Sequence, residues 1–126
     1  MNARRAAPTG VECRVDDERV YRLERNAGPG EKGTWQLSVK RPDVTRAVAI
    51  TLRNAQPRLE ESAAMLRFRS PNGGIIVSLD VAPARSTLDV FVSYELEINV
   101  DASLAPEVDR LNTDGPVTAR CSLLHP

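Results

Sequence analysis

Few residues in this chain have the type and spacing to do chemistry. The single histidine, His125, is the penultimate residue, so a Ser-His-Asp or Cys-His device would rest on a side chain at a fraying end. Two cysteines, Cys13 and Cys121, with scattered acids make no standard zinc set without a second histidine. Glu95 and Glu97 are the obvious carboxylate pair for glycoside hydrolysis. They alternate along an extended segment, however, which describes a solvated face. Asn112, Asp114 and Gly115 carry the later half of a calcium-loop pattern, but Arg110 stands where its first carboxylate belongs, and a turn is the better reading. The glycines of 28–33 and 72–74 lack the spacing and strand-to-helix setting of a phosphate loop. No enzyme and no cofactor is expected from this set.

The elements that carry these residues are strands. From Leu88 to Val100, Leu88, Val90, Val92, Tyr94, Leu96, Ile98 and Val100 alternate with Asp89, Phe91, Ser93, Glu95, Glu97 and Asn99. A period of two predicts a long, half-buried strand. Shorter alternations recur along the chain: Val11, Cys13 and Val15; Trp35, Leu37 and Val39; Val44, Val48, Ile50 and Leu52; Leu66 and Phe68; Ile75, Val77, Leu79 and Val81; Val117, Ala119, Cys121 and Leu123. The segment 18–25 is a more charged, less patterned strand. Ser70-Pro71-Asn72-Gly73-Gly74 is the strongest hairpin signal. Residues 54–63 read as a polar connection with room for one helical turn. Leu104, Val108 and Leu111 lie on one face of a short helix near 103–112. The expectation is an all-β fold of about eight mostly antiparallel strands, a small barrel or sandwich. Residues 1–9 read as a flexible tail before a single β domain over 10–126.

Cys13 and Cys121 acquire meaning from this architecture. Each shares its face with core residues, one on the first strand and one on the last. In an even-numbered closed meander those strands are antiparallel neighbours, and a bridge would pin the closing seam. It would close a loop of more than 100 residues, worth roughly 4.7 kcal/mol in the chain-entropy model. Two buried free thiols are the alternative. A bridge implies an oxidising place, hence a periplasmic or secreted protein. The Cys-Trp-Cys arrangement of immunoglobulin domains is not reproduced. Trp35 follows Cys13 plausibly, but Cys121 lies on the last strand and Ala119 stands where that family has its corner tyrosine.

Composition narrows the partners. Seventeen basic residues balance seventeen acidic ones, which argues against nucleic acid or an anionic membrane surface. Aromatics are 4% of the chain, too few for a base-stacking platform, and no apolar run reaches the ~20 residues of a membrane span. What stands out is parity. Ile76 and Phe91 fall on the outward face of strands that otherwise alternate cleanly. If those strands pair, the two side chains are diagonal neighbours, flanked by Arg67 and Arg69, with Glu95 farther along. Apolar residues rimmed by arginine have the composition of an interface centre. The expected function is a non-enzymatic secreted or periplasmic domain acting by protein–protein contact, of inhibitor, immunity or surface-assembly type. Its partner would be an unidentified protein or a second copy. A small barrel carrying a hydrophobic ligand is the alternative.

Overall fold

Each alternating segment becomes a strand because extended chain sends successive side chains to opposite faces. The computed structural model describes residues 7–15, 18–25, 33–42, 45, 47–69, 75–82, 85–94 and 111–125. Nine strands follow: β1 (Gly10–Val15), β2 (Val20–Arg25), β3 (Trp35–Lys40), β4 (Val48–Leu52), β5 (Arg58–Leu59), β6 (Ala64–Arg69), β7 (Ile75–Ala82), β8 (Thr87–Tyr94) and β9 (Val117–Leu124). They form one sheet in the order β4-β3-β2-β1-β9-β8-β7-β6-β5, and every pairing is antiparallel.

That order is the chain order read around a circle, broken only between β4 and β5. The two edge strands are joined by residues 53–57, which reach at most about 20 Å when fully extended. The sheet must therefore roll on itself, open at one seam. Parity explains why the seam stays open. Alternating directions from β1 to β4, and from β9 back to β5, leave β4 and β5 running the same way. Same-direction neighbours need a crossover of a dozen residues or more, and five cannot supply it. β4 and β5 thus act as the two halves of one interrupted strand. This reconciles nine strands with the expected eight, and it is why β1 and β9 can still lie antiparallel. The segment 54–63 is accordingly not only a polar connection: Arg58 and Leu59 pair with Met65 and Ala64.

The inward faces build one core. Tyr21, Leu23, Leu37, Leu52, Leu66, Leu79, Leu88 and Leu111 are almost fully excluded from solvent. Ala55, in the link, is buried too, and its N–H donates to the Gly33 carbonyl at 2.9 Å, anchoring the link beside β3. Val48 and Ile50 on β4, Leu59 on β5 and Phe68 on the neighbouring β6 are only half-buried.

Cys13 and Cys121 face each other directly across β1 and β9 and form a disulfide, with Cα atoms 4.1 Å apart. The bridge does join the first and last strands, as expected. It does not lie at the opening, which is between β4 and β5. Thr9 is tied in as well, its N–H donating to Leu124 and its carbonyl accepting from Arg25.

The long strand leaves β9 early. Only Thr87 and Leu88 pair with it. The next backbone groups on that edge are met by side chains. Asn112 accepts from the Val92 N–H at 2.6 Å and donates to the Val92 carbonyl at 3.0 Å. The Thr113 hydroxyl accepts from the Val90 N–H at 2.9 Å, and the Thr113 N–H donates to the Val90 carbonyl. Leu111 is buried beside them, and the chain turns through Asp114 and Gly115, both at positive φ. Glu95 to Val100 of the expected strand, and nearly all of the expected helix near 103–112, lie outside the described residues.

Candidate protein-contact face

The outward parities of β6, β7 and β8 generate a three-by-three array. In register across the strands, Met65, Asp80 and Asp89 make one row, Arg67, Ser78 and Phe91 the next, and Arg69, Ile76 and Ser93 the third. Phe91 and Ile76 are therefore diagonal neighbours, as the strand pattern predicts, at a spacing of ~7–8 Å. Phe91 is 55% exposed and Met65 38%, the exposed large hydrophobics among the described residues. Ile76 is half-buried, shielded by its position on the central strand. Arg67 and Arg69 flank the pair on β6. Glu95 lies outside the described residues, so its place in this face is not described.

The charges are more ordered than the sequence suggests. Arg67 is not a free rim cation. Its guanidinium makes a two-oxygen bond to Asp80, 3.0 Å to each, and also donates to the Leu66 and Leu79 carbonyls. Asp80 and Asp89 stand directly opposite one another, a like-charge arrangement that costs stability and that Arg67 relieves from one side. Among the described residues Asp89 and Arg69 have no partner of their own. They occupy opposite corners of the array. The pairing of Arg67 with Asp80 could have been read from register, because same-face residues one row apart on neighbouring strands are within reach.

The rest of the outer surface offers less. On β1 and β2, Arg22 donates through Nε to Glu12 at 3.1 Å and through a second nitrogen to the same oxygen. Glu24 and Arg14 extend the cluster at 3.7 and 3.6 Å. The hydrogen bond to Glu12 pushes the Arg22 guanidinium above its ordinary pKa; burial opposes this, and the charges of Glu12 and Glu24 add to it. Arg14 and Arg120 face each other across β1 and β9 and, with Glu18 and Pro42, line an open surface concavity of about 520 Å³. His125 lines a smaller one of about 180 Å³, with Glu60, Glu61 and Cys121. Among the described residues no group of three or more possible metal ligands comes together, and no helix is long and apolar enough to cross a membrane. Compared with protein families, curated proteins and solved structures, the chain matches none.

Proposed function

We propose that this chain is a non-enzymatic β domain that works by protein–protein contact through the outer face of β6, β7 and β8. The observation that carries the proposal is Phe91. It stands 55% exposed beside Ile76 within a frame of arginine and aspartate, although Val90 and Val92 on either side of it are buried. An exposed aromatic with a neighbouring apolar residue and a polar rim is the composition of an interface centre. The inhibitor, immunity and surface-assembly classes all work this way. The disulfide is compatible with an oxidising, periplasmic or secreted setting. A ligand carrier is less well supported, because Leu37, Leu52 and Leu66, which such a cavity would need to clear, are fully packed.

A photo-crosslinking side chain placed at Ser93, beside Phe91, tests the proposal in the native source. It should capture protein, and Phe91→Ser in the same chain should abolish the capture. The same group at Glu24, on β2 and across the rolled sheet from β7, should capture nothing above background. Equal capture at both positions would defeat the proposal.

A further inference from the structure

We infer that the occupant of this face is a second copy of the same chain, docked about a two-fold axis along the Met65–Ser78–Ser93 diagonal. The inference rests on the proposal that β6, β7 and β8 form the contact surface. Its ground is the symmetry of the array itself. Two sheets meeting face to face around a two-fold axis in the interface exchange positions across that axis, so every residue meets the mirror position in its partner. With the axis on this diagonal, Phe91 meets the partner's Ile76. Asp89 meets the partner's Arg69, and Asp80 meets the partner's Arg67. Met65, Ser78 and Ser93 meet their own copies. Apolar falls on apolar, acid on base, and no like charges are opposed.

The spacings allow it. Strands are about 4.8 Å apart and same-face residues roughly 6.8 Å apart along a strand, so exchanging rows for columns misplaces partners by about 2–3 Å, within side-chain reach. The strands of the two copies would cross near 90°, an established way for sheets to pack. The four charged side chains sum to zero, two arginines against two aspartates. A partner surface of uniform charge would set one of the two unpaired corners, Arg69 or Asp89, against a like charge. A second copy satisfies both corners. The array spans only about 10 by 14 Å, well under a standard interface, so the dimer is a weak, concentration-dependent one.

Sedimentation equilibrium from micromolar to millimolar chain concentration, at low and high salt, is the test. The wild type should approach twice the chain mass as concentration rises, and Phe91→Ser should remain a monomer with an unchanged melting curve. Arg69→Glu alone and Asp89→Arg alone should each weaken association at least tenfold. Mixing those two variants should restore a dimer, since each then offers the other a complementary corner. Dimerisation that survives in Phe91→Ser, or a mixture no better than either variant alone, would overturn the assigned axis. A wild type that stays monomeric at millimolar concentration would overturn self-association while leaving the contact face to the crosslinking test. A collapse in the stability of Phe91→Ser would remove both, because Phe91 would then be a core residue.

Discussion

Phe91 shows how much a single position can say once its parity is known. Its neighbours Val90 and Val92 are buried and it is not, so truncating it removes little from the core. Phe91→Ser should change unfolding free energy by no more than about 0.5 kcal/mol, the usual range for surface substitutions, whereas Leu37→Ala, at a fully buried site, should cost about 2–5 kcal/mol. Urea unfolding of both variants checks the contrast. Gly10 is the opposite kind of position. A Cβ there would stand 2.2 Å from the Leu23 carbonyl oxygen, a backbone atom that cannot step aside, so Gly10→Ala should prise β1 from β2 and lower the melting temperature measurably. The Arg22–Glu12 bond is better made than most surface pairs, yet the Arg22 side chain is 42% exposed, so Arg22→Gln should cost only about 0.5–1 kcal/mol. A cation whose folded pKa is raised contributes stability at every pH below its unfolded value and loses it only above. That difference should therefore hold steady from about pH 7 to pH 10, which denaturation at both values would show.

At the scale of elements, the short stretch from Leu111 to Gly115 does what a strand would otherwise do. Where β8 parts from β9, Asn112 and Thr113 supply side-chain donors and acceptors to the Val90 and Val92 backbone. Asn112→Ala leaves both Val92 groups without these partners and should cost about 1–3 kcal/mol, with faster hydrogen exchange at the Val92 amide than at the Val77 amide as the local signature. The strands were legible because alternation survives in sequence, and the diagonal meeting of Ile76 with Phe91 followed from that alternation. The capping was not legible. Its partners are about twenty residues apart in sequence, and Asn112 had read only as part of a turn. β5 escaped for a different reason. A two-residue pairing has no period to detect, and Arg58-Leu59 is ordinary for a connection. The ion pair of Arg67 and Asp80 needed the β6–β7 register, which the 70–74 turn signal suggests without fixing.

For the whole molecule, the decisive feature is that the sheet closes on itself everywhere except where the chain runs continuously. Strand pairing holds β1 to β9, and the Cys13–Cys121 bridge locks them. The seam between β4 and β5 is crossed by residues 53–57 and, among the described residues, by no strand pairing. Moving the chain ends to that seam should therefore leave the fold intact. A circular permutant that begins at Pro57 and ends at Gln56, with the original termini joined, keeps every pairing between strands. Thr9 and Leu124 are already hydrogen-bonded, so the chain enters β1 and leaves β9 side by side. Its circular-dichroism spectrum should match that of the parent. Its disulfide should not be worth the same. In the parent the bridge spans a sequence separation of 108 residues, and reduction should cost at most about 4.7 kcal/mol by loop-closure entropy. In the permutant Cys121 reaches Cys13 through the joined termini, a loop of about 20 residues worth roughly 3 kcal/mol. Reduction should then destabilise the permutant by about 1–2 kcal/mol less than the parent, read as the difference between oxidised and reduced urea midpoints in each. If both chains lose the same amount, the bridge acts through local packing between β1 and β9 rather than by restraining the unfolded chain.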